Sequence, residues 1–151
     1  ASAYLKGRPV FPSRHRSIIA LRWAAGEPQP RTTARGIPAG AAVFVFSGIA
    51  DNAAFRDAIS ARGGRLVGYC TFTDHHPYSR SDLARIQAAA GTAGADVIVT
   101  TGKDAVRLPR PFHWSRDLLI ADAELVFAGD RFRSFIHRRL ADLNALRACS
   151  D

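Results

Sequence analysis

Ala41-Ala42-Val43-Phe44-Val45-Phe46-Ser47-Gly48, followed by Asp51-Asn52 and then by Phe55, Ala58 and Ile59 at helical spacing, decides how this chain folds. A short, unbroken apolar run suits a strand covered on both faces, as the strands of a parallel sheet are. Ser47-Gly48 turns the chain, Asp51 or Asn52 can cap the element that follows, and Phe55, Ala58 and Ile59 share one helical face. Gly63-Gly64 closes that helix, because glycine accepts the left-handed conformation on which helices often end. The product is one strand-turn-helix unit.

The alternation continues downstream. Residues 66–72 read as a second strand, and the turn Thr73-Asp74-His75-His76-Pro77 follows it. Ser79 with Asp82 resembles a capping box, and Leu83, Ile86, Gln87 and Ala90 carry a second helix to about Ala93. Residues 97–101 give a third strand that ends in Thr101-Gly102-Lys103-Asp104, and residues 118–127 give a further one. Phe132, Phe135, Ile136, Leu140 and Leu143 mark the expected buried face of a last helix. Strands alternating with helices predict an α/β fold of three layers, a mainly parallel sheet with helices on both faces.

Ahead of this regular part, residues 1–40 read as a basic arm, with Lys6, Arg8, Arg14, Arg16, Arg22, Arg31 and Arg35 against the single acid Glu27. The arm holds one strand, at 18–23, and a connection rich in proline and glycine at 26–40. The expected organisation is therefore the arm, 1–40, and an α/β domain, 41–151. There are no internal repeats or low-complexity tracts.

At 151 residues and 47% hydrophobic content the chain can bury one core but hardly two. Its net charge of +8 favours anionic partners such as phosphates, acidic lipid headgroups or nucleic acid. Lys6 and Lys103 are the only lysines among 21 basic residues, which fits a coding bias toward arginine equally well, so charge alone names no partner. Cys70 and Cys149 stand far apart and outside any CxxC or Cys/His spacing, which argues against a disulfide framework and a zinc site. No stretch approaches the roughly 20 apolar residues of a membrane span, and no signal-peptide pattern opens the chain. A start at Ala1 and the lack of any methionine read as a piece of a longer protein.

Parallel strands point their carboxyl ends the same way, so the segments at 47–52, 74–78 and 100–104 are expected to gather along one edge of the sheet. They bring Ser47, Asp74, His75, His76 and Lys103 together. An imidazole beside a carboxylate can hold or move a proton near neutral pH, which makes Asp74 and His75 the catalytic candidates. The plainer alternative stays open: Asp74 bonds the turn and both histidines lie half exposed beside Pro77. Lys103, with His76 and Ser47, is a candidate for binding a phosphate-bearing substrate, although Lys103 could equally pair with Asp104 and Ser47 could simply make a turn. A P-loop needs GxxxxGK followed by Ser or Thr; Val97 and Asp104 stand at the deciding positions, so the match fails. A two-metal phosphoesterase site needs a further acid pair after the first strand, where Ser47-Gly48-Ile49-Ala50 has none. No RNP-like aromatic motif, zinc finger or helix-turn-helix supports nucleic-acid binding.

Taken in order, Lys6-Gly7-Arg8-Pro9-Val10-Phe11, Phe44-Val45-Phe46-Ser47-Gly48-Ile49, Phe72-Thr73-Asp74-His75-His76-Pro77-Tyr78 and Val97-Ile98-Val99-Thr100-Thr101-Gly102-Lys103-Asp104-Ala105-Val106-Arg107-Leu108 resemble the carboxy-terminal half of the tetraacyldisaccharide 4'-kinases, the lipid A 4'-kinases. The resemblance implies phosphorylation of the 4' hydroxyl of a lipid A disaccharide precursor, with ATP and Mg2+ in the full-length enzyme, at the cytoplasmic face of the bacterial inner membrane. It also implies that the P-loop and the aspartate acting as base lie in an amino-terminal half outside this chain, that His75 reaches toward that aspartate with Asp74 beside it, and that this piece alone binds neither ATP nor Mg2+ and is inactive. Its partners would be the lipid precursor, the P-loop half and the membrane surface, with no nucleic acid expected. The sequence departs from the family where Gly102 replaces a usual glutamate, and where Ala50-Asp51-Asn52 replaces a Gly or Ala with a nearby Pro. A reading from another class is a non-catalytic basic domain that docks on nucleic acid or acidic lipid.

Overall fold

The computed structural model describes residues 7–30, 32–33 and 36–148; the side chains at 15, 17, 32–33 and 144–148 are outside the description. Lys6, Arg31, Arg35 and Cys149, singled out above, lie outside the described residues. In chain order the elements are β1 (Ser13–Trp23), β2 (Thr32–Thr33), β3 (Ala42–Ser47), α1 (Asn52–Ser60), β4 (Arg65–Thr71), α2 (Arg80–Thr92), β5 (Val97–Thr101), α3 (Gly102–Ala105), β6 (Asp117–Phe127) and α4 (Arg131–Ala148). One six-stranded sheet runs in the order β2-β1-β6-β5-β3-β4. The pairs β3–β4, β3–β5 and β5–β6 are parallel, whereas β1 and β2 are antiparallel. The chain divides into two compact units, 17–123 and the paired segments 1–16 with 124–151, and β1 and β6 each carry residues of both.

In the unit 17–123 the three layers can be read from β3 residue by residue. Every residue of β3 is buried. Phe44 and Phe46 turn toward Leu83, Ile86 and Ala90 of α2, joined by Ile98, Leu118 and Ile120 of the neighbouring strands. Val43 and Val45 turn the other way, toward Phe55 and Ile59 of α1, with Val97, Val99, Leu119 and Ala121. Side chains that alternate between two apolar layers are what a strand covered on both faces requires. Each fully buried large side chain contributes about 1.5–3 kcal/mol relative to exposure. The expected α/β architecture with helices on both faces is therefore the observed one.

Strand β4 lies at the sheet edge, and its residues are only partly covered, with Tyr69 54% exposed. Gly68 is required there: a Cβ at that position would come within 2.8 Å of the Phe44 ring, beside the irregularity in register between Val43 and Phe44.

The first strand is longer than the apolar pattern suggested, beginning at Ser13 rather than near residue 18. Its added residues are polar, and Arg16 satisfies its charge on Glu124, so hydrophobicity gives no sign of this end. The last helix also corrects an expectation, made within the unit formed by 1–16 and 124–151. Phe132 and Phe135 pack against Phe11 at ring distances of 5.4 and 5.2 Å, but Leu140 and Leu143 are 53% and 56% exposed. Periodicity marks an apolar side without guaranteeing that anything covers it, and the aromatic contacts end near the first turns of α4.

Candidate functional site

The turns after β3, β4 and β5 are joined by hydrogen bonds. The turn after β4 is held to that after β3 by Phe72 N donating to Ser47 O at 2.9 Å and His75 N donating to Gly48 O at 3.1 Å. Asn52 adds a bridge: its Oδ1 accepts from the Ser47 hydroxyl at 2.6 Å and its Nδ2 donates to Phe72 O at 3.2 Å. Helix capping falls instead to Asp51, whose Oδ1 accepts from Ala54 N at 2.9 Å. The turn after β5 joins through Asp104, a fully buried carboxylate that accepts from Gly48 N at 3.2 Å and from the Thr101 hydroxyl at 2.7 Å. Burying a carboxylate costs several kcal/mol unless donors surround it, and these donors together with Arg107, 3.8 Å away, offset that cost.

His75 and Lys103 therefore stand on the same edge of the sheet, in the turns on either side of the one after β3. The His75 side chain is 75% exposed and Asp74 47% exposed, and His75 Nε2 lies 3.7 Å from Asp74 Oδ2. That separation is too long for a hydrogen bond. His75 holds φ of 61°, the left-handed region that non-glycine residues seldom occupy. Its Nδ1 meets Arg107 Nη2 at 2.8 Å. Lys103 is exposed and makes no ion pair among the described residues; the acid that follows it, Asp104, faces Arg107 instead.

The other two candidates are placed differently. His76 packs between Phe72 and Tyr78, and its Nε2 lies 3.2 Å from Asp82. Ser47 is 1% exposed with its hydroxyl engaged by Asn52, so it anchors the turn and presents no group outward. The groove next to it, about 220 Å³, is lined by Ser47, Asn52, Arg56, Tyr69, Cys70 and Thr71, and does not include Asp74, His75 or Lys103. Asp82 holds the start of α2 through the capping box with Ser79, and hydrogen bonds from Ser79, reinforced by His76, hold its carboxyl down at about 2. Burial pushes the Tyr78 phenol far above its ordinary value, and the neighbouring Asp104 carboxylate adds to the effect.

Two residues at this edge carried no assignment in the sequence reading. Arg107 had a legible signal, since it lies three residues after Asp104, the spacing of a helical ion pair. Asp122 had none. Register places it: Thr101 pairs with Ala121, so Asp122 falls beside Gly102, and a Cβ on Gly102 would lie 2.1 Å from Asp122 Oδ1. Among the described residues no three His, Cys, Asp or Glu side chains gather as a metal site.

A mainly parallel α/β sheet with a histidine, a lysine and carboxylates at the carboxyl ends of its strands is the arrangement of a ligand-binding α/β protein. Comparison with known proteins narrows this. Residues 3–141 match the family described as Tetraacyldisaccharide-1-P 4'-kinase, and the chain belongs to that family. It is 47% identical over 83 residues to a tetraacyldisaccharide 4'-kinase of Geobacter metallireducens, covering 55% of this chain and 23% of that protein. It is 31% identical over 144 residues to the enzyme of that name from Desulfatibacillum aliphaticivorans, covering 92% of this chain and 39% of that protein. A crystal structure of LpxK from Aquifex aeolicus, described as the "apo" form in complex with ATP, has a similar fold: TM-score 0.50 and 17% identity, over 87% of this chain and 36% of that one. The chain thus spans well under half the length of these relatives.

Proposed function

We propose that this chain is the carboxy-terminal part of a kinase that transfers the γ-phosphate of ATP to the 4' hydroxyl of a tetraacyldisaccharide 1-phosphate, in lipid A biosynthesis. The observation that carries the reading is the placement of His75 and Lys103 on one sheet edge of a chain that belongs to this kinase family. Phosphoryl transfer asks mainly for positioning and for stabilisation of charge. In this reading His75 orients the carboxylate that accepts the hydroxyl proton, Asp74 stands beside it, and the exposed ammonium of Lys103 faces the anionic substrate. His76 and Ser47 serve by shaping the turns, given their engagement with Asp82 and Asn52.

In this reading Mg2+ and the ATP phosphates are held by a P-loop half of the same protein, and this chain contributes groups that face the lipid substrate. The chain alone is then inactive, because the rim is open and the nucleotide lies on the other half. The lipid precursor sets the location at the inner-membrane surface. No helix among the described residues is long and apolar enough to cross a membrane.

The test is a comparison of His75→Ala with the unchanged sequence in the full-length protein, measured as transfer of labelled γ-phosphate to the disaccharide. Loss of the group that orients the reacting carboxylate predicts a fall on the order of 10²-fold in turnover. Turnover within error of the unchanged protein would remove the role given to His75.

A further inference from the structure

We infer that Arg107 is a positioning residue that sets which nitrogen of His75 carries its proton. A guanidinium has only donors and stays charged at every accessible pH. The nitrogen that faces Arg107 Nη2 at 2.8 Å, His75 Nδ1, must therefore present a lone pair. An imidazole with its lone pair at Nδ1 is neutral and carries its proton on Nε2. Asp74 does not consume that proton, since its nearer oxygen is 3.7 Å from Nε2. The N–H is thus left free to donate to an acceptor arriving at the exposed rim, which deepens the role given to His75 in the proposed kinase reading and rests on it.

Arg107 is placed for this because its guanidinium lies between the exposed ring and the buried Asp104 carboxylate. Its Nη1 is buried without a hydrogen-bond partner and faces Asp104 Oδ1 at 3.8 Å, a charge-charge approach too long for a hydrogen bond. Asp104 in turn is fully buried and bonded to Gly48 N and to the Thr101 hydroxyl. Charge attraction to this buried carboxylate draws the guanidinium toward the joint between two turns, and its Nη2 meets the exposed imidazole from there. The His75 backbone is held to the same joint by its N–H on Gly48 O at 3.1 Å. An imidazole anchored at its backbone and at one ring nitrogen has one direction left for its remaining N–H.

Two measurements test this. The first needs no activity: nitrogen-15 shifts of the His75 ring at neutral pH, in this chain. The expected pattern is a protonated Nε2 and an unprotonated Nδ1, with the preference lost in Arg107→Met and restored in Arg107→Lys. A protonated Nδ1 in the unchanged chain, or the same pattern in Arg107→Met, overturns the inference.

The second uses the full-length protein. Misplacing a reacting group costs on the order of 10²-fold, so Arg107→Met is expected to lower kcat by roughly 10- to 100-fold with KM little changed, and to add nothing in a His75→Ala background. Equal losses in both backgrounds would show that Arg107 acts elsewhere and would overturn the inference. If His75→Ala itself left turnover unchanged, the kinase role of His75 would fall, while the ring shifts would still decide what Arg107 does to the imidazole. Circular dichroism of each variant separates misfolding from these effects.

Discussion

Both carboxylate oxygens of Asp104 lie 3.2 Å from the nitrogen of Gly48, and this contact ties the turn after β3 to the short helix after β5. Replacing Asp104 by Ala leaves the Gly48 N–H and the Thr101 hydroxyl buried without their acceptor, and each such group costs about 1–3 kcal/mol. Asp104→Ala is expected to lower the unfolding free energy by roughly 2–5 kcal/mol in a urea titration. Asp104→Asn should cost less, because the amide oxygen keeps one acceptor at the same place. An unchanged midpoint for Asp104→Ala would mean that the turns hold their arrangement without this tie.

The capping acid of α2 gives a pH dependence with a definite sign. Asp82 is held at about 2 in the folded chain against 3.8 for the free group, by hydrogen bonds from Ser79 first and by His76 to a smaller degree. The unfolded chain therefore binds more protons as pH falls through this range, and stability follows the proton difference. The contribution of Asp82 is fully present above about pH 4 and is lost as pH falls toward about 2. Urea midpoints measured at pH 6, 4 and 3 should fall more steeply for the unchanged chain than for Asp82→Asn. Parallel slopes would show that the ionised form of Asp82 gains nothing on folding.

How much of this was readable in advance depended on what placed each residue. β5 was legible to the residue and α2 to within one, because apolar runs and caps are local signals. The convergence of three turns also followed from sequence, since it needs only parallel strands. The division of duties between Asp51 and Asn52 did not: both can cap a helix, and only the carbonyl of Phe72, twenty residues away, draws Asn52 into the bridge between turns. His76 and His75 are adjacent in sequence, yet one packs against Phe72 and pairs with Asp82 while the other is exposed on Arg107. The positive φ at His75 accompanies that divergence, and nothing in a dipeptide signals it. Exposure at Leu140 and Leu143 was unreadable for a different reason, since spacing reports a face and not its cover.

Gly102 and Asp122 are coupled by space rather than by a bond. A Cβ at residue 102 would fall 2.1 Å from Asp122 Oδ1, far inside contact distance, but Asp122 is exposed and its carboxylate can swing outward. Gly102→Ala should therefore be tolerated with a loss of under about 1 kcal/mol, the side chain of Asp122 giving way. In an Asp122→Ala background the same substitution should be neutral or stabilising, because the obstacle is gone and alanine favours the helical start. The double-mutant cycle is expected to show a coupling of roughly 0.5–2 kcal/mol, within the range of residues in contact. Additive effects would mean that the carboxylate leaves position 102 at no cost in free energy.

His75 sits at a conformation that works against its own residue type. At φ of 61° a side chain crowds the backbone, which costs about 1–3 kcal/mol, whereas glycine adopts the same angle freely. The ring itself is 75% exposed, so its bond to Arg107 returns little stability, about 0–1 kcal/mol for an exposed charged contact. His75→Gly is accordingly expected to stabilise the chain by about 1 kcal/mol, measured as an upward shift of the urea midpoint with unchanged slope. His75→Ala keeps the strain and loses the contact, so it should be no more stable than the unchanged chain. Both variants lack the imidazole and should be equally impaired in phosphate transfer, which separates the ring's role from the shape of the turn. A His75→Gly chain no more stable than His75→Ala would place the strain elsewhere and leave the left-handed turn without an energetic reason to be held for function.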